Sequence, residues 1–316
     1  MTWHPVSIDD IQSAAGRIQE HVLRTPVLSF PQLNDELGVD LSFKCENMQH
    51  VGAFKARGAC NAVFQLTDAE AAAGVVTHSS GNHAAALARA ANLRGITAHI
   101  VMPHNSAKIK IDAVRSFGVE PVLCEPTTEA RQQAANEVIA RTGANLVHPY
   151  DDVRVIAGQG TTALEILEQT EDVDTLLIPV GGGGLLSGSL IAAKSLRPDI
   201  RVVAVEPAWA DDTYRSWKSG KIEQPTRYDS IGDGLRTRIG EITFPIILDL
   251  VDDVVTVSEE NILLATRRMF RQCKLVVEPS GAVPLGAVLE YPNQFDGRKI
   301  VAVVTGGNMD FGSIEL

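Results

Sequence analysis

The chain has 316 residues, 45% of them hydrophobic, with a formal net charge of -11; it is long enough for a large core arranged as two domains or one big α/β unit. So acidic a surface is not built to hold a phosphate backbone, and nucleic acid is not an expected partner. MTWHPVSIDD carries no secretory signature, no window reaches the length of a membrane span, and Cys45, Cys60, Cys124 and Cys273 lie far apart, which together predict a cytoplasmic protein with free thiols and no membrane partner.

In chain order, short β-rich apolar runs alternate with longer helical patterns. LSFKCE (41–46) precedes a helix, GVVTHSS (74–80) precedes NHAAALARAANLRG, TAHIVMP (97–103) precedes AKIKIDAVRSFG, and EPVLCEP (120–126) precedes EARQQAANEVIART. After VHPYDDVRVIAG the alternation resumes with TTALEILEQT, DTLLIPV (174–180), GLLSGSLIAAKSL, RVVAVEP (201–207), DDVVTVS (252–258), ENILLATRRMFRQ and KIVAVVTGG (299–307). The pattern predicts βαβ units and parallel sheet, and the continuous Val/Ile/Leu runs predict strands covered on both faces. Polar turns near Asn47 and Asn145 divide the chain into a small domain, 48–144, inserted in a large one made of 1–47 and 145–316. A ligand then belongs in the cleft between them, at the carboxyl ends of strands.

Five stretches carry chemistry. In VGAFKARGA (51–59), Lys55 sits between an aromatic residue and a turn of small residues. A lysine amine is a poor nucleophile while protonated, so a catalytic lysine needs a partly dry pocket or masking as a Schiff base. Phe54 supplies apolar cover, and Gly52, Ala53, Ala56 and Gly58 leave room for a flat ring; a solvated lysine opening a helix is the plainer alternative. Ser79, Ser80, Gly81, Asn82 and His83 join a strand to an alanine-rich helix, a cradle for a carboxylate or ring hydroxyl, or an ordinary cap. Gly158, Gly160 and Ala163 match a loose dinucleotide pattern without the acidic residue that would hold a ribose; a helix-start turn is expected there.

DTLLIPV runs straight into Gly181, Gly182, Gly183 and Gly184 before a helical pattern. Successive N–H groups at a helix N-terminus hold a phosphate without a cationic side chain, and neither a Walker A loop nor dinucleotide spacing fits. Glu206, the Ala210 carbonyl and Asp212 in VEPAWADD are oxygen ligands suited to magnesium or calcium, or acidic residues opening a helix. Thr305, Gly306, Gly307 and Asn308 end the last strand and offer Thr305 to a ring nitrogen. His4, His78, His99, His104 and His148 show no clustered ligand pattern.

In this order, AFKARG, SSGNH, GGGGLLSG, VEPSGA and TGGN resemble the pyridoxal-phosphate enzymes of fold type II, the tryptophan-synthase-β type. The closest likeness is to the serine/threonine dehydratase and serine racemase family, from about Thr25 to Asp310. The resemblance implies a two-domain α/β fold with pyridoxal 5'-phosphate in the interdomain cleft. Lys55 then tethers the cofactor, Phe54 lies against its ring, Asn82 meets the 3-hydroxyl, Gly181 to Gly184 hold the phosphate and Thr305 meets the ring nitrogen. Ser79, Ser80, Asn82, His83, Arg131 and Thr237 match substrate positions. Ser80 stands opposite Lys55 for acid/base work, and Arg131 suits a second carboxylate as in 3-hydroxyaspartate.

A neutral threonine at the ring nitrogen weakens the electron sink, which favours expulsion of a β-leaving group. The expected activity is dehydration and deamination of L-serine, L-threonine or 3-hydroxyaspartate to a 2-oxo acid, with racemisation as the alternative and a non-catalytic phosphate-ligand sensor as a more distant one. The likeness also implies a divalent cation (Mg2+, Ca2+ or Mn2+) at Glu206, Ala210 and Asp212, and a homodimer. Two departures stand out. His83-Ala84-Ala85-Ala86 lacks the family's usual glutamine, against nucleotide activation, and the chain ends just after TGGNMD, against an amino-acid-sensing domain.

Overall fold

The computed structural model describes residues 4–310 apart from Ser80 and the Thr128 side chain. Ten strands are formed among these residues: β1 (Val27–Ser29), β2 (Asp40–Cys45), β3 (Val75–His78), β4 (Ala98–Pro103), β5 (Val122–Cys124), β6 (Asn145–Leu146), β7 (Thr175–Pro179), β8 (Arg201–Pro207), β9 (Asp253–Val257) and β10 (Lys299–Val304). They make two sheets. The larger runs β1-β2-β10-β7-β8-β9, parallel throughout except for β1 against β2. The smaller, β5-β4-β3-β6, is wholly parallel.

The apolar runs of the larger sheet are buried on both faces. Ile300, Ala302 and Val304 of β10 enter one core with Val203 and Val205 of β8, while Val301 and Val303 enter another with Val202 and Ala204. Successive residues of a strand point to opposite faces, so this alternation requires a helical layer on each side. In the smaller sheet Val75, Ile100 and Met102 face one core, and Val76 and Val101 the other.

Asn145–Leu146 pairs with β3 of the smaller sheet. One expectation changes: Gly158 and Gly160 open no turn; they lie inside one continuous helix, Val153–Gln169. A Cβ on Gly158 would come 2.7 Å from the Gly58 Cα, and one on Gly160 would come 2.8 Å from the Gly188 carbonyl oxygen. These glycines let the helix approach the backbones of two neighbours, and close packing outweighs their low helix propensity.

One of those neighbours is the helix Lys55–Phe64. Arg57, fully buried, binds Glu46 with Nε and Nη2 at 2.8 Å and reaches Glu165 from Nη1 at 2.7 Å. Buried Lys44 reaches the same Glu165 at 2.5 Å. Breaking such a network by removing one partner costs about 3–5 kcal/mol. It therefore fixes the helix two residues beyond Lys55.

The position of β10 organises the site. Formed last in the chain, it inserts between β2 and β7. Three parallel strands thus deliver their following loops to one edge: β2 leads to Lys55, β7 to the glycine run, and β10 to Thr305. Residues far apart in sequence meet at the carboxyl ends, where ligands of open α/β sheets bind.

Candidate active site

Lys55 opens its helix behind Phe54, and the loop before it is pinned to the end of β10. Ala53 bridges Gly306, and the Phe54 N–H donates to the Thr305 carbonyl at 3.1 Å. The Lys55 ammonium donates to the Pro149 carbonyl at 2.7 Å, with Nζ 5.0 Å from the Phe54 ring centroid. Burial disfavours the charged form and lowers its pKa to about 8, against a pull upward from Glu278. It is the dry lysine that a nucleophile requires, not a solvated one.

The glycine run has no room for side chains. A Cβ on Gly182 would lie 2.2 Å from the Tyr150 ring, and one on Gly184 2.9 Å from the Tyr150 carbonyl oxygen. Gly183 adopts φ +91, the left-handed region open to glycine. The Gly182 carbonyl accepts from the Thr243 hydroxyl at 2.8 Å, while no side chain caps the helix Gly184–Leu196. Its leading N–H groups, the positive end of the helix dipole, are left for an anion. Across the edge, Thr305 is 3% exposed and its Oγ1 is buried without a hydrogen-bond partner. A phosphate cradle, a dry amine and an orphan hydroxyl are what a pyridoxal phosphate presents its three ends to. The residues fit that cofactor.

Asn82 begins the helix Asn82–Arg94 and reaches from the smaller sheet to the larger. Its Nδ2 donates to Glu278 Oε1 at 2.9 Å, and its Oδ1 accepts from Asn308 Nδ2 at 3.0 Å. Asn308 Nδ2 also donates to the Val51 carbonyl at 2.6 Å. Val51 has φ 56, strained for a β-branched residue and worth about 1–3 kcal/mol. That strain sits just ahead of Lys55. Glu278 lies in the VEPSGA motif, but the motif carries only the resemblance and gives this carboxylate no role of its own. Burial first, and Asp233 next, push its pKa up to about 8.

On the substrate side, the Ser79 hydroxyl accepts from the Gly81 N–H at 3.3 Å, and Ser80 lies outside the described residues. No side chain caps the Asn82 helix, so its first N–H groups suit a carboxylate. The His83 ring is fully buried and turned to the Val147 carbonyl at 3.3 Å. A carbonyl can only accept, so Nε2 carries the proton and the unpartnered Nδ1 is a lone pair. A carboxylate at 83 is thus met by the backbone N–H rather than the ring. Burial keeps His83 neutral, well below the usual histidine range.

The histidines are not all ordinary. Val76 pairs with Leu146 across β3 and β6, and the same register carries His78 to His148. Their rings are 5.5 Å apart, and His148 meets Tyr150 at 4.6 Å. His148 Nδ1 accepts the Asp151 N–H at 2.9 Å, which leaves Nε2–H as donor, and burial lowers its pKa to about 4. Separation in sequence hid this cluster. Half-buried Arg131 is near enough to act electrostatically on His78 and Tyr150. Thr237 is exposed, with its hydroxyl beside Gly181.

Glu206 and Asp212 are buried, as is Ala210. Glu206 accepts the N–H groups of Thr213 at 3.1 Å and Tyr214 at 2.6 Å, capping the helix Asp212–Ser219; Asp212 accepts from the Ile239 N–H at 2.7 Å. Burial raises both, Asp212 to about 7. No cluster of three or more His, Cys, Asp or Glu ligands forms among the described residues. The cysteines are free, and burial pushes Cys45 up to about 12 and Cys60 to about 11, so they are inert. No helix among the described residues is long and apolar enough to cross a membrane.

Comparison with known proteins agrees with this geometry. Residues 18–306 match the family described as pyridoxal-phosphate dependent enzyme. The chain is 47% identical to a serine racemase of Arabidopsis thaliana, covering 98% of this chain and 96% of the relative. It is 44% identical to a beta-hydroxyaspartate dehydratase of Paracoccus denitrificans, covering 97% of each. The solved structure of maize serine racemase superposes with a TM-score of 0.96 at 44% identity, over 98% of this chain and 96% of that one. The non-catalytic sensor alternative falls with these matches. From Lys55, the glycine cradle and Thr305 on one sheet edge, and from a match across nearly its whole length, this chain belongs to the pyridoxal-phosphate dependent enzymes of fold type II.

Proposed function

We propose that the protein is a dehydratase and ammonia-lyase that converts a small β-hydroxy amino acid, L-serine, L-threonine or 3-hydroxyaspartate, into a 2-oxo acid and ammonium. The observation that carries this reading is the buried, neutral hydroxyl of Thr305 at the end of β10. When bound, pyridoxal 5'-phosphate supplies an electron sink for charge left at the substrate α-carbon, and a neutral partner at its ring nitrogen keeps that sink moderate, which favours loss of the β-hydroxyl. The N–H groups of Gly181 to Gly184 hold the phosphate and Phe54 covers the ring. Lys55, whose pKa burial lowers to about 8, would take the substrate α-proton through its neutral fraction. Ser79, the Asn82 side chain and the His83 N–H orient the substrate carboxylate. Residues 48–144 act as the substrate-contacting unit, and 1–47 with 145–316 as the cofactor-bearing one.

Arg131, with Thr237 on the glycine-run side, favours a substrate bearing a second carboxylate, in keeping with the relative named beta-hydroxyaspartate dehydratase. A divalent cation, Mg2+ or Ca2+, at Glu206, Asp212 and the Ala210 carbonyl would neutralise two buried carboxylates. The four free cysteines suit a reducing compartment, which supports a cytoplasmic enzyme, and a homodimer belongs to the same reading. Racemisation is the second reading, favoured by the relatives named serine racemase; Ser80 would be its opposing acid. Both are tested by incubating the purified holoenzyme with a panel of β-hydroxy amino acids, following oxo-acid release and the chirality of residual substrate. Oxo acid without D-isomer supports the lyase. D-isomer formed faster than oxo acid overturns it in favour of the racemase.

A further inference from the structure

We propose that Glu278 is a positioning residue that fixes which way the Asn82 side-chain amide points, and so decides that the group facing the cofactor ring oxygen is a donor. The proposal rests on the cofactor placement above. An asparagine amide packs almost equally well in two orientations that exchange its oxygen and nitrogen. What selects one is the polarity of its partners.

Here that polarity is anchored in the backbone. The Val51 carbonyl can only accept, so the Asn308 group 2.6 Å from it is Nδ2. Its second hydrogen goes to Asn82 Oδ1 at 3.0 Å. Asn82 must then present Nδ2 to Glu278 Oε1 at 2.9 Å, and one N–H remains for the ring. Flipping Asn82 would set nitrogen against nitrogen at Asn308 and, with Glu278 ionised, oxygen against oxygen at Glu278. Glu278 is rigidly held for this task. Its N–H donates to the Gly306 carbonyl at 3.0 Å, Pro279 starts the helix Pro279–Glu290 immediately after it, and the residue is 5% exposed. Gly306 is required to be glycine: its Cβ would stand 2.4 Å from Glu278 Oε1 and 3.2 Å from Asn82 Nδ2.

The test is cofactor binding without substrate, so its outcome is independent of which reaction the enzyme performs. Purified protein is stripped of pyridoxal 5'-phosphate and titrated with it, following fluorescence and the visible spectrum of the bound form. Glu278→Leu should raise the cofactor Kd about tenfold, the worth of one buried acceptor, and change the ratio of the bound cofactor's absorption bands. Glu278→Gln, which keeps an acceptor, should hold Kd within about twofold. In an Asn82→Ala background Glu278→Leu should cost nothing further, because coupled residues are non-additive. Wild-type affinity and spectrum in Glu278→Leu, a Gln variant as weak as the Leu one, or full additivity with Asn82→Ala would each overturn the proposal. If Glu278→Leu does not fold, Asn308→Ala removes the other end of the relay and should show the same loss; wild-type affinity there overturns it equally.

Discussion

Replacing Thr305 with Val keeps the branched shape at the end of β10 and deletes one hydroxyl, and its effect should change sign with the cofactor. No described protein group bonds the buried Oγ1, so with nothing else to meet it the folded state carries a desolvation cost of up to about 1–3 kcal/mol. Removing the hydroxyl should stabilise the cofactor-free form. For a chain somewhat larger than 250 residues, each kcal/mol corresponds to about 2–4 °C at most, so a rise in Tm of about 2–5 °C is expected. In the loaded protein the same hydroxyl is expected to meet the ring nitrogen, and losing that bond should cost about 0.5–1.5 kcal/mol, a cofactor Kd about two- to twelvefold weaker. Calorimetry of stripped and reconstituted protein, with a direct cofactor titration, reads both quantities. A lower Tm for stripped Thr305→Val than for stripped wild type, or an unchanged cofactor Kd, would refute the reasoning that places Thr305 against the ring.

Four further outcomes follow from the same geometry. The rate at which stripped protein takes up pyridoxal phosphate requires the neutral amine, so it should rise with pH through about 8, the value to which burial lowers Lys55; a midpoint near the ordinary lysine range would show the pocket to be wet. Gly182→Ala should abolish cofactor binding and lower stability by about 1–3 kcal/mol through overpacking against Tyr150, and Tyr150→Ala in the same chain should restore part of the Tm. Arg131→Ala should reduce kcat/KM for 3-hydroxyaspartate about ten- to a hundredfold relative to serine, the range for a lost charge-assisted hydrogen bond; equal loss on both substrates would remove its specificity role. Chelation should lower wild-type activity, Mg2+ should restore it, and Asp212→Ala should respond to neither; a chelator-insensitive wild type would eliminate the cation.

The sequence by itself determined a good deal here. Alternating apolar runs and helical patterns specified parallel sheet with both faces covered, because that pattern has no other way to bury its strands. Lys55, the four glycines and Thr305 were each legible as turns at strand ends, since tight turns and helix starts are local events written in neighbouring residues. What the tertiary structure alone decided is which of those turns meet. Insertion of β10 between β2 and β7 gathers three distant loops, and the β3–β6 register brings His78 to His148; neither is a local property. The same holds for Gly158 and Gly160, which read as a turn but serve a helix crossing visible only once Gly58 and Gly188 lie across from them. Glu278 was the hardest to see. The VEPSGA motif was legible, but its carboxylate acquires a role only from Asn82, 196 positions away, and only the folded chain puts the two within a hydrogen bond.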